Sequence, residues 1–346
     1  MKTKNFFSEL NRCFIIAEVG VNHNGDISLA KKLIDVAKEC GADAVKFQTY
    51  KAEKLASTHT PKVAYQKEST QQSESHFEML KKLELSYKNH YVLKNYCEKK
   101  DISFLSTPYD VESAMFLDKD LDIQIFKTAS ADIVDFSLHE YISKSKKPSI
   151  ISVGMASLGE IEETLKIYDK NQNADLILLH CVSNYPCSNE SLNMNVMNSL
   201  KHAFQFPVGF SDHSLGNEAA ILSIAFGSKV IEKHLTLDKT LSGPDHKASS
   251  SPEEFFSFAG SVRKAEIMLG GFLKKCHKEE LDMAKVSRKS PVLNKDLLPG
   301  DILNICDIEL RRPADGIKPN MTKHLVGRAA RKHIKKGSLL SFFDFE

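Results

Sequence analysis

The chain has 346 residues, which exceeds one average domain, so we expect a large domain with a smaller companion. Its 47 lysine and arginine residues against 45 aspartate and glutamate residues give a formal net charge of +2, which provides no global attraction for nucleic acid or an anionic membrane. The sequence has no signal-peptide pattern, no apolar stretch of the roughly 18 residues that span a bilayer, and no CxxC pair. We therefore expect a cytoplasmic protein with neither a disulfide framework nor a thiolate zinc site.

Short apolar, β-branched runs alternate with stretches of helical period from residue 14 to residue 270. The runs are FIIAEV (14–19), AVKFQT (44–49), ISFLST (102–107), IQIFKT (123–128), SIISV (149–153), DLILLH (175–180), PVGFS (207–211) and KVIEKHL (229–235). Because strands that alternate with helices form parallel βα units, this pattern predicts one (β/α)₈ TIM barrel over residues 1–271. A doubly wound open sheet is the alternative, but no G-x-G-x-x-G turn follows the first strand.

Two segments depart from this alternation. The polar segment 60–85 is too long for a simple βα loop, so it predicts an insertion that caps the barrel mouth. After a lysine-rich linker at 272–286, residues 287–346 form short strand-like pieces with tight turns at LPGD and KKGS. A β-rich module of this size is marginal alone, so we expect it to dock on another surface.

Reactive side chains collect at the ends of the eight predicted strands, where barrel enzymes build their active sites. They are Glu18, Lys46, Gln48, Ser106, Thr107, Lys127, Ser130, Ser152, His180, Ser211, Asp212, His213, Glu232 and His234. Lys46 and Lys127 lie within apolar runs, where an unpaired ammonium is costly to bury, so each needs a partner. Each lysine is either a salt-bridged structural residue, a clamp on phosphate or carboxylate, or a Schiff-base nucleophile.

Two histidines follow adjacent predicted strands. The imidazoles of His213 and His234 could therefore converge on one divalent cation and leave coordination positions open, with Glu18 and Asp245 nearby to act on protons. The loop RRPADG places Arg312 beside a turn, where it suits an amide or hydroxyl of a ligand.

The same segments, taken together, resemble the sialic acid (nonulosonic acid) synthase family. The ordered motifs are EVGVNHNG (18–25), AVKFQT, LSTPYD, KTAS, SVGMAS, LLHCVSNYP, GFSDHS, IEKHLTLDKTLSGPDHKAS and RRPADG. They extend over essentially the whole chain, and the module from residue 287 looks like the family's small antifreeze-like (SAF) domain. This ordered set is far more specific than any one of its motifs.

The resemblance implies a transferase that condenses phosphoenolpyruvate with an open-chain N-acyl hexosamine, without a Schiff base, and releases phosphate. It implies Mn²⁺ or Mg²⁺ on His213 and His234, and proton handling by Glu18 and Asp245. Phosphoenolpyruvate would be held by Lys46, Lys127, Ser130, Ser152 and Ser211, and the sugar by Gln48, Thr107 and Tyr185. The resemblance also implies a homodimer with swapped SAF domains, in which Arg312 contacts the N-acyl group of the sugar in the partner's barrel.

The substrate remains open between two sugars at this point. Lys-Phe-Gln-Thr (46–49), Ala-Ser-Ala-Asp (129–132) and His-Cys-Val-Ser (180–183) differ from the K-H-Q-T, G-S-G-E and H-C-T-N of N-acetylneuraminate synthases. The stretches KFQTYKAEK and PKVAYQKEST are closer to N,N'-diacetyllegionaminate synthases, which take a 6-deoxy-2,4-diacetamido sugar. Phe47 adds apolar surface that suits a 6-deoxy sugar, unless its side chain faces the helices.

Three further readings compete with these two. A pseudaminate synthase would use a related precursor within the same family. A Schiff-base pyruvate aldolase would use Lys46 or Lys127 as its nucleophile. A sugar-binding or structural protein would take its function from the SAF-like module, and gaps would then be expected among the residues at the strand ends.

Overall fold

The computed structural model describes residues 5–57, 60–62 and 74–346, and the chain divides into two compact units, Met1–Gly270 and Gly271–Glu346. The strands are β1 (Phe14–Gly20), β2 (Ala44–Thr49), β3 (Ser103–Pro108), β4 (Phe126–Thr128), β5 (Ser149–Ser152), β6 (Leu176–Cys181), β7 (Val208–Asp212), β8 (Val230–His234), β9 (Ser290–Leu293) and β10 (Ile308–Arg311). The helices are α1 (Ile27–Glu39), α2 (Ala52–Leu55), α3 (His76–Leu83), α4 (Tyr87–Lys99), α5 (Val111–Met115), α6 (Phe136–Ser145), α7 (Leu158–Lys170), α8 (Asn189–Leu192), α9 (Val196–Phe204), α10 (Glu218–Ala225), α11 (Pro252–Leu269) and α12 (Leu281–Ser287). None of the helices within the described ranges is both long and apolar enough to span a membrane.

The first unit is a barrel of eight parallel strands. Their order is β3-β2-β1-β8-β7-β6-β5-β4, and β1 pairs with both β2 and β8, so the first and last strands meet. The two ends of this order, β3 and β4, lie side by side, which leaves the barrel nearly closed. The predicted (β/α)₈ barrel is therefore confirmed, and the open-sheet alternative is wrong.

Alternation along each strand separates two cores. One core fills the barrel and includes Ile16 of β1, Ala44 of β2 and Leu105 of β3. The other packs the outer face of the strands on the helices and includes Ile15 and Val45. Successive side chains of a strand point to opposite faces, so a residue two positions beyond an interior residue also faces the interior.

A 3₁₀ turn at Phe6–Glu9 closes the end of the barrel at which the strands begin. Phe7 is 1% exposed and packs among the interior residues, beside Ile16. The side chain of Asn5 accepts a hydrogen bond from the Phe7 amide at 2.9 Å and donates one to the carbonyl of Leu176 at 3.0 Å. The turn is thereby fixed to β6, and the Phe7 ring occupies the barrel interior.

We expect Phe7→Ala to lower the free energy of unfolding of the barrel by about 3 to 5 kcal/mol, because the lost ring leaves a cavity that the rigid strands cannot close. Urea unfolding followed by circular dichroism measures this change. Phe6→Ala is the matched control, because the Phe6 side chain is 42% exposed. Equal losses in the two variants would contradict the role assigned to Phe7.

The fourth strand begins later than its apolar run predicts. The run starts at Ile123, but the Ile123 amide donates to the carbonyl of Leu117 at 3.0 Å, so this residue still closes the preceding helical turn. The first ladder bond of β4 comes from the amide of Phe126 to Pro148. A buried run by itself does not reveal which of its residues enter the ladder.

The second unit is built from short antiparallel pairings. Strand β9 pairs with β10 around a core that includes Leu293, Leu325 and Phe345. The LPGD and KKGS turns form as predicted, with Gly300 at φ +90° and Gly337 at φ +81°. The predicted linker 272–286 is partly helical, because it contains most of α12.

Candidate active site

A cavity of about 480 Å³ opens at the carboxyl ends of the barrel strands. It is lined by side chains from all eight strands or the loops that follow them. Among them are all the predicted site residues of the first unit: Glu18, Lys46, Gln48, Thr107, Lys127, Ser130, Ser152, Tyr185, Ser211, His213, His234 and Asp245. Arg312 belongs to the second unit, where its side chain is exposed.

Strand geometry explains why these side chains meet. Five of them lie two residues beyond an interior core residue of the same strand, so they continue the inward face towards the strand end. These five are Glu18, Lys46, Thr107, Lys127 and Ser152. The residues at the intervening positions face the helices.

Lys46 is surrounded by carboxylates. Its side chain is about 5% exposed, forms an ion pair with Glu18 and lies 3.6 Å from an oxygen of Glu232. It also donates a hydrogen bond to the hydroxyl of Thr107 at 3.0 Å. A buried ammonium requires a nearby negative charge, and the carboxylates of Glu18 and Glu232 both supply one.

Lys127 shares one of these carboxylates. Its ammonium lies 3.6 Å from the second oxygen of Glu232 and donates to the Ser152 hydroxyl at 2.7 Å and to the carbonyl of Thr128 at 2.9 Å. We call Glu18, Lys46, Lys127 and Glu232 the charge cluster. When the two lysines are protonated and the two glutamates are ionised, the net charge of the cluster is zero.

Burial changes the proton affinities within the charge cluster. It raises the pKa of the Glu18 carboxyl, and the attraction of Lys46 only partly opposes this shift. It lowers the pKa of the Lys127 ammonium, which Glu232 partly restores. Both pKa shifts favour the neutral forms of these two side chains. The groups of the charge cluster can be charged together only because each lies beside a group of opposite charge.

A glycine after β5 allows three strand ends to pack closely on one another. The amide of Gly154 donates to the Ser130 hydroxyl at 3.0 Å. A Cβ at this position would lie 2.6 Å from the Ser183 hydroxyl, 2.8 Å from that of Ser130 and 3.1 Å from the carbonyl oxygen of Cys181. The hydroxyls of Ser130 and Ser183 both line the cavity, where they can donate hydrogen bonds to the oxygen atoms of an anionic substrate.

The two predicted metal ligands face each other. The ring centroids of His213 and His234 are 5.4 Å apart at an interplanar angle of 71°. Nδ1 of His213 is 2.8 Å from the carbonyl oxygen of Val182 and must donate to it, so in the neutral ring Nε2 is the acceptor nitrogen, 3.5 Å from the Ser211 hydroxyl. No group of three or more potential metal-binding side chains occurs in the described part of the chain. The pair fits a cation that keeps most of its positions for water and substrate.

Two neighbours modify this histidine pair. Burial lowers the pKa of His234 well below its usual range, which keeps its ring neutral, and Asp245 lies 3.8 Å from its Nδ1. Burial also lowers the pKa of His213, but the Cys181 sulfur, 3.6 Å from Nδ1, reverses the shift, so that the pKa is raised. A carboxylate and a thiol thus flank the two imidazoles.

The loop that carries Asp245 is held by the loop after β1. The amide group of Asn24 donates to the carbonyl of Ser242 at 3.0 Å, and its oxygen accepts from Nε2 of His246 at 3.2 Å. Gly243 lies against both partners, since a Cβ there would be 2.7 Å from the His246 ring and 2.8 Å from the Asn24 oxygen. Asp245 is therefore carried by a loop with little freedom to move.

One end of the cavity is apolar. We call Leu55, Ala56, Met79, Leu80 and Leu83 the apolar end; all five line the cavity and come from α2, the residue after it, and α3. The described residues of the predicted insertion, 60–62 and 74–85, thus border the mouth, and 63–73 lie outside the described residues. The length and polarity of segment 60–85 predict the insertion but not its apolar contribution to the cavity.

Some strand-end residues do not reach the cavity. In the described chain, His180, Ser106 and Asp212 do not line it, and the His180 ring instead donates to the carbonyl of Leu192, the last residue of α8, at 2.7 Å. Phe47 is fully buried on the helix side of β2 and stacks on Phe104 with centroids 5.5 Å apart. Phe47 therefore cannot select a 6-deoxy sugar by contact, and that interpretation is wrong.

A half-buried acid beside the site gives a test of pH dependence. Burial raises the pKa of Asp132 from 3.8 to about 7, and Asp135 adds to this shift. Because the pKa is raised in the folded chain, the stability that Asp132 contributes is complete below pH 3.8 and is lost as the pH rises towards 7.

We expect Asp132→Asn to be more stable than the unaltered protein at pH 8 by up to about 4 kcal/mol, with the difference vanishing in acid. Urea unfolding at both pH values provides the measurement. The same stability difference at the two pH values would contradict a raised pKa.

A barrel with a buried, charge-compensated cavity at its strand ends defines the molecule as an enzyme of the barrel class. Among solved structures, it is similar to an N-acetylneuraminic acid synthetase from Leptospira borgpetersenii, with a TM-score of 0.71 and 36% identity over 79% of this chain and 90% of that one. Its sequence matches the NeuB family over residues 33–274. This chain belongs to the NeuB family.

Two curated relatives carry the same name, N,N'-diacetyllegionaminic acid synthase. The protein from Campylobacter jejuni is 42% identical over 96% of this chain and 99% of its own length. The protein from Legionella pneumophila is 43% identical over 96% of this chain and 95% of its own length. The resemblance to sialic acid synthases that the motifs indicated is confirmed.

Proposed function

We propose that this chain is a phosphoenolpyruvate-condensing synthase that makes a nine-carbon, sialic-acid-like sugar of the N,N'-diacetyllegionaminic acid type. One observation carries the proposal. The cavity gathers two lysines, the hydroxyls at the strand ends and a facing histidine pair, in a chain 42 and 43% identical to two N,N'-diacetyllegionaminic acid synthases. N-acetylneuraminate synthesis is the alternative that an assay with both sugars separates.

The proposed reaction joins three carbons of phosphoenolpyruvate to a six-carbon sugar. C3 of phosphoenolpyruvate attacks the aldehyde carbon of the open-chain N-acyl sugar and forms the new carbon–carbon bond. The carbonyl electron pair moves to the aldehyde oxygen, which takes up a proton. Water then adds at C2 and loses a proton, the C2–O bond to phosphate breaks, and C2 becomes a carbonyl carbon.

We assign the binding of phosphoenolpyruvate to Lys46, Lys127, Ser130, Ser152 and Ser211. Cationic and hydroxyl donors are the groups that bind phosphate and carboxylate oxygens, and they are buried here, where such bonds are strong. The hydrogen bond from the Gly154 amide supports this assignment, because it fixes the position of the Ser130 hydroxyl.

We assign Mn²⁺ or Mg²⁺ to His213 and His234. When bound, the cation would polarise the aldehyde oxygen of the sugar. The neutral state of the His234 ring and the Val182 hydrogen bond that orients His213 support this assignment.

The remaining cavity residues handle protons and hydroxyl groups. We assign proton transfer at the aldehyde oxygen and the attacking water to Glu18 and Asp245, which are both buried at the cavity wall. Gln48, Thr107 and Tyr185 offer amide and hydroxyl groups to the hydroxyls of the sugar.

The aldolase reading loses support from the contacts of its candidate nucleophiles. Burial lowers the pKa of Lys46, but Glu18 and Glu232 reverse this shift and raise it, so the amine stays protonated. Burial lowers the pKa of Lys127, which favours a neutral amine, but its nitrogen is hydrogen-bonded to the Ser152 hydroxyl and to the carbonyl of Thr128 and is therefore obstructed. A Schiff base requires an unprotonated, unobstructed amine.

We further propose that the second unit is an SAF-like domain that reaches the barrel of a partner in a swapped homodimer. The exposed guanidinium of Arg312 would then contact the N-acyl group of the sugar. The small β-rich core of this unit is compatible with a module that depends on docking.

We expect Arg312→Ala to raise the KM for the sugar about 10-fold and to leave the KM for phosphoenolpyruvate nearly unchanged, because it removes only a sugar contact. Steady-state kinetics with each substrate varied in turn measures both constants. Arg311→Ala is the matched control, since Arg311 is already paired with Glu309. Weakened phosphoenolpyruvate binding in the Arg312 variant would contradict the assignment.

Phosphate release tests the proposed function directly. The purified protein is supplied with phosphoenolpyruvate, Mn²⁺ and either N-acetylmannosamine or 2,4-diacetamido-2,4,6-trideoxymannose, with and without a chelator. We expect chelator-sensitive release that is faster with the diacetamido sugar. Preference for N-acetylmannosamine would identify an N-acetylneuraminate synthase. No release with either sugar, together with borohydride trapping of pyruvate on a lysine, would favour the aldolase.

A further inference from the structure

The cavity has two chemically different ends. Towards the strand ends it is bordered by the charge cluster and the histidine pair, whereas α2 and α3 contribute Leu55, Met79, Leu80 and Leu83, with His76 as their one polar side chain there among the described lining residues. A substrate of hydroxyl groups alone gains nothing from such an apolar surface. The apolar end therefore requires a matching group on the ligand.

We propose that the apolar end receives the second N-acetyl group of the acceptor sugar, the group that a diacetamido sugar has and N-acetylmannosamine lacks. This inference rests on the proposed function and names the part of the enzyme that selects its sugar. The methyl of the N-acetyl group would contact Met79, Leu80 and Leu83.

His76 suits the amide part of such a group. It begins α3 at the edge of the apolar end, and within the described chain its Nδ1 is buried without a hydrogen bond. Burial lowers the pKa of its ring, so the imidazole is neutral and has one donor and one acceptor nitrogen. An N-acetyl group likewise combines a methyl with an amide that both donates and accepts.

The apolar end is held in place by contacts that do not involve the cavity. The Tyr50 hydroxyl donates to the carbonyl of Leu80 at 3.1 Å. Glu84, just after α3, accepts from the amide of Ala52 in α2 at 3.1 Å. A Cβ at Gly25 would lie 2.6 Å from the carbonyl oxygen of Lys82, so the loop after β1 also packs directly on α3.

A fixed apolar surface discriminates between sugars more strongly than a mobile one. Because it cannot move away, a hydroxyl group placed there loses its water without gaining a hydrogen bond. A methyl group in the same place gains contact area. One methyl in an apolar pocket changes kcat/KM by about 10-fold to 200-fold.

The test compares three sugars in each variant: 2,4-diacetamido-2,4,6-trideoxymannose, 2-acetamido-2,6-dideoxymannose and N-acetylmannosamine. We expect Leu83→Ala to lower kcat/KM for the diacetamido sugar about 10-fold to 100-fold and to change the values for the other two sugars less than about 3-fold. The ratio between sugars in one preparation does not depend on how much of the variant is folded. Phe77→Leu is the control, because Phe77 packs on the same core as Leu83 but does not line the cavity.

Other outcomes overturn the inference in distinguishable ways. An equal fall for all three sugars would overturn the inference, because Leu83 would then either be structural or contact the N-acetyl group that all three sugars share. An equal fall for the two 6-deoxy sugars would mean that the apolar end contacts the C6 methyl and not the N-acetyl group. If the unaltered enzyme releases no phosphate with any of these sugars, the proposed function fails before the variants are compared.

Discussion

Lys46→Met is expected to lower the free energy of unfolding by about 3 to 5 kcal/mol and to abolish phosphate release. The ammonium of Lys46 pairs with Glu18 and lies 3.6 Å from Glu232, and all three side chains are buried. Removing it leaves two carboxylates opposite the single ammonium of Lys127. One negative charge among these buried side chains then lacks a compensating cation.

The double variant Lys46→Met with Glu18→Gln separates the two consequences. It leaves Lys127 and Glu232 as a balanced pair, so we expect most of the lost stability to return while activity stays absent. Urea unfolding by circular dichroism and phosphate release from phosphoenolpyruvate provide the two measurements. A single Lys46 variant as stable as the unaltered protein would show that the charge cluster is not compensated in the way described.

Gly154→Ala is expected to lower kcat/KM for phosphoenolpyruvate about 100-fold, which corresponds to about 2.7 kcal/mol. The new Cβ would lie 2.6 Å from the Ser183 hydroxyl and 2.8 Å from that of Ser130. Both hydroxyls can rotate away at small cost to folding, but Ser130 would then lose the hydrogen bond from the amide of residue 154 and its position in the anion site.

The matched control is Gly159→Ala in helix α7, where a Cβ would have only the Ser157 hydroxyl within 4 Å, at 3.9 Å. We expect this variant to keep full activity and to gain slightly in stability, because alanine favours the helix more than glycine does. Kinetics with phosphoenolpyruvate varied at saturating sugar measure both variants. Equal activity in the two would contradict the role of Gly154 in holding the Ser130 hydroxyl at the anion site.

The barrel and much of its site follow from patterns that act over short distances. Alternation within runs such as AVKFQT predicts both the strand and the inward direction of Lys46, because the side-chain period of a strand is two residues. The cost of burying an ammonium predicts that Lys46 and Lys127 have carboxylate partners, and Glu18 and Glu232 supply them.

Features that depend on contacts between distant segments could not be predicted. His180 stands at a strand end like the cavity residues, but it occupies the alternate phase of β6, which a run of apolar neighbours conceals. The requirement for glycine at position 154 arises only when Ser130 and Ser183 are brought to the same place. No hydrophobic periodicity in the sequence predicts that the Phe7 ring enters the barrel, because Phe7 belongs to a single 3₁₀ turn.

The hydrogen bonds of Asn24 to the Asp245 loop join positions 218 and 222 residues apart in the sequence. Such a bond can form only after the intervening chain has collapsed and the first strand has paired with the last. The entropic cost of closing this long loop therefore falls late in folding. The Asp245 loop thus acquires its final geometry when the barrel seam between β1 and β8 closes. During refolding, the circular-dichroism signal of the helices would return before enzymatic activity. An incomplete chain emerging from the ribosome would contain most of the barrel but would not be catalytically active.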